Sequence, residues 1–158
     1  MPSMEDLLSK MTNIMAMRLR LMPEVAMHKW NNQLPVFDAA REEELLDKLT
    51  QMAMEFGIAE ETAKQLLQGQ MDVAKKWQEE MISQWRHDHV GVFSNARDLH
   101  HEIRPEVAKF SKAMLEHVAL LISMNISISQ TPPCPADIPE IFWQEAFEAL
   151  RNAVNHGQ

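Results

Sequence analysis

Arg18, Lys29 and Arg41 are three cations set into stretches that otherwise read as the apolar faces of helices. Arg18 and Lys29 are 11 residues apart, close to three helical turns, which puts them on one face about 16 Å apart along the axis. That face also carries Leu7, Met11, Ile14, Leu21 and Val25. Stripping the water from a charge costs several kcal/mol, so a charge in an apolar seam needs a partner. Asp38, Glu42 and Gln78 fall at inward positions as well. Arginine grips carboxylates in bidentate fashion, lysine acts as a point charge, and a glutamine amide donates to an ether or hydroxyl oxygen without ionising. The two acids can accept from a ligand hydroxyl or orient the arginines. No Ser, Cys or His is evidently placed beside this set as nucleophile or base, and no metal-ligand spacing joins it. The pattern predicts an anion pocket that needs no metal or cofactor and works by positioning and charge stabilisation.

Taken singly, each residue has a plainer reading. An inward arginine is commonly a structural ion pair or a snorkelling side chain, Asp38 alone is a helix cap, and Gln78 alone is a satisfied buried amide. What favours a pocket is their joint occurrence at matching phases on three helices.

The elements that carry these residues are legible from apolar periodicity. A first helix starts after Ser3, with Glu5 and Asp6 in its first turn. Its stripe runs through 7, 11, 14, 18, 21, 25 and 29 and keeps its phase across Pro23, which predicts a kink there and an end near Asn31 and Asn32. Asp38 is the expected N-cap of a second helix with the stripe Arg41, Glu42, Leu45, Leu49, Met52 and Phe56, closed by Gly57. A third helix runs from about Ala59 to Trp85, with Leu67, Met71, Ala74, Gln78 and Met81 inward. Residues 86–95 read as a connection. A fourth helix holds Ile103, Val107, Phe110, Met114, Val118 and Leu121, with Pro105 in its first turn. The proline-rich stretch 125–139 reads as a long loop, and a last helix spans about 139–155. The prediction is all-α: one domain over 1–158, a bundle of about five or six long helices, with catalytic helices in about 4–90 and accessory helices in about 95–158.

Bulk composition narrows the function classes. The chain has 158 residues, enough for one domain with a real core. Four glycines against 13 methionines, in a chain rich in Leu, Ala, Glu and Lys, fit a helical protein. A net charge of −8 argues against a nucleic-acid partner and requires any anion site to focus positive charge locally. No apolar run approaches a membrane span, and no charged start with an apolar run precedes the first helix. Cys134 is the single cysteine, so no internal disulfide forms. His87-Asp88-His89 and His100-His101 lack a clear third ligand for a metal, and His117 falls on an apolar stripe as a core histidine.

The spacing Arg18–(10 residues)–Lys29, followed by Pro35-Val36-Phe37-Asp38-Ala39-Ala40-Arg41-Glu42, resembles the AroQ-type chorismate mutases. Ala74 and Gln78 fall at that family's two substrate-facing positions on the third helix, and the likeness covers roughly residues 10–85. The runs Val25-Ala26-Met27-His28-Lys29-Trp30 and Gln33-Leu34-Pro35-Val36, with the extra C-terminal half, resemble its secreted, monofunctional gamma subclass. Ile103-Arg104-Pro105-Glu106-Val107 looks like the start of that subclass's second half.

The resemblance implies rearrangement of chorismate to prephenate, a one-step Claisen reaction of aromatic amino-acid biosynthesis that needs no cofactor. By that analogy Arg18 and Arg41 hold carboxylates, and Lys29 bridges a carboxylate and the ether oxygen. Gln78 donates to the ether oxygen, and Glu42 with Asp38 holds the ring hydroxyl. Ala74 stands where the family often has a hydroxyl residue. The subclass also draws a further cation from the second half; the alignment falls at Ala113, which makes the adjacent Lys112 the expected residue, with Lys109 and Arg104 as alternatives. The resemblance further implies a homodimer in the periplasm or outside the cell, after removal of a leader. An isochorismate pyruvate lyase on the same fold, and a non-catalytic helical binding or effector module, are the competing readings.

Overall fold

The structure is a computed structural model and describes residues 2–157; Met1 and Gln158, the ends of the expected 1–158 domain, lie outside the described residues. Among the described residues there are six α-helices, one turn of π-helix and no strand. The helices are α1 (Met4–Leu19), α2 (Met22–Asn31), α3 (Ala39–Glu55), α4 (Glu60–His87), α5 (Arg104–Ser123) and α6 (Glu140–His156), with the π turn at Leu99–Ile103. The all-α bundle expected from periodicity is what forms.

Helix α1 begins in a capping box: Ser3 Oγ accepts from the Asp6 amide at 3.1 Å, and the Asp6 carboxylate accepts from the Ser3 amide. The single kinked helix expected over residues 4–31 is instead two helices separated by Arg20 and Leu21. Pro23 has no amide hydrogen to continue the ladder, so the regular bonding opens just ahead of it and α2 restarts with the proline in its first turn. Arg20 (φ −63°, ψ −16°) and Leu21 (φ −79°, ψ −17°) nevertheless keep right-handed helical dihedrals, so the phase carries across the break. This keeps Arg18 and Lys29 on the same side.

Helix α3 starts at Asp38, whose Oδ1 accepts from the Arg41 amide at 3.1 Å. It ends in a Schellman turn: Ile58 N–H bonds to Ala53 O and Gly57 N–H to Met54 O, with Gly57 at φ +99°. Helix α4, roughly 42 Å long at 1.5 Å per residue, is the spine of the bundle and packs against α2, α3 and α6. The α4–α6 approach is close at Gly69, where a Cβ would lie 2.8 Å from the Ala149 methyl. Helix α1 packs on α5, and α5 on α3 and α6. The core between them includes Met11, Leu19, Leu66, Leu67, Met114, Leu115, Trp143 and Phe147, all essentially without solvent contact.

Two loops are fastened by side chains. The 125–139 stretch is a loop, as read from its prolines, and is tied down by reciprocal bonds of 2.8 Å between Asn155 and the Ile128 backbone. The connection from α4 to the π turn is held to α2 by Asn31, which bonds the Phe93 amide and carbonyl, and by Trp30 Nε1 donating to Gly91 O. Arg97 then clamps both Glu24 on α2 (2.7 Å) and Glu106 on α5 (2.6 Å), which fixes the start of α5 against α2.

Candidate active site

One cavity of about 490 Å³ opens between α1–α2, α3, α4 and α5. That is the size range of small-molecule sites. Arg18 comes from the last turn of α1 and is 4% exposed. Its Nε donates to Ser111 Oγ on α5 at 3.0 Å, while Nη1 is buried with no hydrogen-bond partner among the described residues. Burial pulls the guanidinium pKa down to about 10, which leaves it charged at neutral pH.

Lys29, from α2, donates from Nζ to Val36 O and to Gln78 Oε1, both at 2.9 Å. Its pKa is lowered to about 8, first by burial and then by the charge of Arg104, with Asp38 opposing. Gln78 lies on α4 and is 5% exposed. Its Nε2 has only a 3.6 Å contact with Met22 Sδ, a weak acceptor, so the amide donors remain the available part of the group. Asp38 and Arg41 stand at the N-terminus of α3, and Ala74 forms part of the α4 wall. Glu42 is held in place: Oε1 accepts from Gln68 Nε2 at 2.9 Å and from Lys75 Nζ at 3.1 Å, and Lys75 sits 4.7 Å above the Phe37 ring.

Arg18, Lys29, Asp38, Arg41, Glu42, Ala74 and Gln78 therefore all line one cavity. Lys112 does not. It lies one residue beyond the cavity-lining Ser111, a rotation of about 100° around α5, and is mostly exposed, 4.0 Å from Glu116. Lys109 extends over the Phe110 ring at 5.7 Å. The second-half cation in the cavity is Arg104, on one stripe of α5 with Val107, Ala108 and Ser111. Its pKa is lowered by burial and by Arg41.

Sequence reasoning missed Ser111, His100, Lys48 and Lys75. For Lys48 a signal existed, since it follows Arg41 by seven residues on the same face of α3; Ser111 likewise follows Arg104 by seven. The bridge from Lys75 to Glu42 crosses from α4 to α3 and has no local signature. Ser111 and His100 do place a hydroxyl and an imidazole in the wall, against expectation. Ser111 is engaged with Arg18 and His100 with Arg104, and among the described residues no bond joins serine to histidine.

Six cations and two acids thus surround the cavity of a chain with net charge −8, and Lys75 offsets one of the acids. Among the described residues none of Arg18, Lys29, Arg41 and Arg104 is ion-paired with a carboxylate. The rest of the lining is apolar: Met22, Val25, Leu45, Leu49, Met52 and Met71. A positive field inside low-dielectric walls concentrates anions and strengthens every charge contact made there. A second cavity of about 560 Å³, between α1, α6 and the 125–139 loop, has Glu140 as its charged lining residue and so repels anions. Among the described residues no three His, Cys, Asp or Glu side chains are grouped to hold a metal ion, and no helix is long and apolar enough to cross a membrane.

Residues 6–79 match the family described as chorismate mutase type II. Three solved structures share the fold across most of this chain. A chorismate mutase from Burkholderia thailandensis aligns with TM-score 0.70 and 22% identity over 96% of this chain and 99% of that one. One from Burkholderia phymatum gives 0.71 and 23% over 96% and 93%. A secreted chorismate mutase from Yersinia pestis gives 0.72 and 19% over 89% and 94%. At such identities the likeness is one of fold. No curated sequence matches the chain.

Proposed function

We propose that the cationic cavity rearranges chorismate to prephenate, a reading supported by the match of residues 6–79 to the chorismate mutase type II family. The observation that carries the reading is Arg18: a fully buried guanidinium with an unpartnered Nη1 and no paired carboxylate, on a cavity shared with Lys29, Arg41 and Arg104. Such a charge is costly to bury, and a ligand that supplies the missing anion offsets that cost. Chorismate is a dianion with an ether oxygen and a ring hydroxyl, and each of these has a complement in the cavity.

In this reading Arg18 and Arg41 take carboxylates, with Arg104 as the further cation from the second half of the chain. Lys29 reaches both a carboxylate and the ether oxygen. The reaction breaks the ether C–O bond as a C–C bond forms, so negative charge grows on that oxygen. Lys29 Nζ and Gln78 Nε2 meet it with preorganised donors. Glu42, braced by Lys75 and Gln68, with Asp38 nearby, accepts from the ring hydroxyl. Holding both ends of the substrate keeps its flexible enolpyruvyl arm over the ring. An acceleration of about 10⁶ requires roughly 8 kcal/mol of barrier reduction. One well-aimed donor is worth about 3 kcal/mol, so two donors and conformational restriction suffice. No proton moves and no covalent intermediate forms.

The presence of Arg104 and Ser111 from α5 in the same cavity supports one complete site per chain, with residues 95–158 as the accessory half of a single domain. The likeness of residues 25–36 to the secreted gamma subclass supports a homodimer working in the periplasm or outside the cell.

The test is to incubate the purified chain with chorismate and, separately, with isochorismate. Prephenate from chorismate supports the reading. Salicylate and pyruvate from isochorismate, or no turnover of either, would overturn it.

A further inference from the structure

His100 and Arg104 are one turn apart where the π turn runs into α5, and both line the cavity. Arg104 Nη1 lies 2.8 Å from His100 Nδ1. A guanidinium has donors and no acceptor, so Nδ1 must be the acceptor. The imidazole is therefore neutral, with its proton on Nε2. A protonated ring would instead set a second cation at that distance.

Arg104 needs such an anchor because its surroundings push it away. Lys29 on α2 and Arg41 on α3 repel it, while Asp38 and Glu44 on α3 attract it from beyond ion-pair distance. The backbone under His100 is fixed independently of the ring. Leu99 N–H donates to His28 Nδ1 at 3.2 Å, Asp98 caps the His101 amide at 2.7 Å, and Arg97 clamps Glu24 and Glu106. The His28 ring stands edge-on to His100 at 6.4 Å. The charged and titratable groups beside His100 are Arg104, Asp98 and His28, while Lys29, Asp38, Arg41 and Glu44 act on Arg104.

We propose that His100 is a positioning residue: its neutral Nε2–H imidazole holds Arg104 at the cavity wall to receive a substrate carboxylate. The consequence for substrate rests on the activity proposed above; the tautomer does not. Arg104 keeps its remaining donors for the ligand, so its loss from the wall weakens binding more than it slows the rearrangement.

The experiment pairs kinetics on chorismate with ring nitrogen NMR. His100→Phe raises KM about tenfold at neutral pH with a smaller change in kcat, as for loss of a binding contact. His100→Asn keeps an acceptor oxygen near the Nδ1 position, so it restores KM to within about twofold of wild type. Nitrogen-15 spectra show His100 as the Nε2–H tautomer, and Arg104→Ala removes that bias. A wild-type KM in His100→Phe, a KM in His100→Asn as high as in His100→Phe, or an Nδ1–H ring would each overturn the proposal. If wild type failed to turn over chorismate, the activity reading would fall, and the tautomer measurement would still decide the role of His100.

Discussion

Lys29 Nζ donates to Gln78 Oε1 at 2.9 Å, across the gap between α2 and α4. This bond sets which end of the amide faces the cavity. With Oε1 occupied by the ammonium, Nε2 is the end left to donate, and the two donors sit side by side. In the proposed reaction, this pairing lets a neutral side chain and a cation serve one oxygen of the same ligand.

Replacing Gln78 by Glu tests that arrangement. A carboxylate at this position accepts from Lys29 but has no hydrogen to donate until it is protonated. Burial raises the pKa of such a group. Gln78→Glu is therefore expected to lose activity by about 10²-fold or more at neutral pH, the cost of one preorganised donor, and to recover part of it toward acid pH. An unchanged pH–rate profile would contradict the role given to the amide.

The alkaline side of the profile is expected to follow Lys29. Its pKa of about 8 lies below the ordinary lysine value of 10.5, mainly through burial. The charged form is the one that binds, so kcat/KM should fall as pH rises through about 8. A bound dianion stabilises the ammonium, which moves the corresponding limb of kcat to higher pH. Stability runs the other way. Between the folded and unfolded pKa values the unfolded chain holds more protons, so the contribution of Lys29 to stability is least below about pH 8 and improves as pH rises toward 10.5. Lys29→Met should remove both trends, read by pH-dependent kinetics and by denaturant melts.

Arg18 presents the sharpest trade between stability and activity. Its guanidinium is buried without a paired carboxylate, and among the described residues its side-chain hydrogen bond goes to Ser111. Arg18→Met keeps much of the volume and removes the buried charge. We expect stabilisation of about 1–3 kcal/mol, by analogy with apolar replacement of buried ions. At this chain length that is a rise of roughly 2–4 °C in Tm per kcal/mol. Turnover of chorismate should be lost in the same protein. A variant that is both less stable and still active would contradict the account.

Arg104→Ala and Lys112→Ala separate the two candidate cations from the second half. Arg104→Ala is expected to raise KM by about tenfold or more, from loss of a charge-assisted contact. Lys112→Ala, with its side chain in solvent near Glu116, is expected to leave kinetics unchanged and stability within about 0.5 kcal/mol.

The contrast between these two residues shows what was legible in the sequence. The phases of Arg18, Lys29, Arg41 and Gln78 follow from helical periodicity, because each side chain's direction is set by its own helix. Asp38 and Gly57 could be read as the ends of α3 because capping is local chemistry. The face that α5 turns toward the cavity is set by the connection feeding it: the Arg97 clamp, the Asn31 bonds to Phe93, and a π turn whose extra residue shifts the register. None of these has a periodic signature, so the alignment drifted to Ala113 and Lys112 while Arg104 occupied the wall. The break at Arg20–Leu21 was half legible. Pro23 signals a fault, but whether the helix bends or restarts depends on how α1 and α2 pack on their different neighbours.

The most direct measurement is a crystal structure of the chain with prephenate bound. The account predicts one prephenate in the cavity between α1–α2, α3, α4 and α5, one carboxylate within hydrogen-bonding distance of Arg18 and the other on Arg41 or Arg104. A dianion seated elsewhere, or lying in this cavity with Arg18 Nη1 still unpartnered, would contradict it.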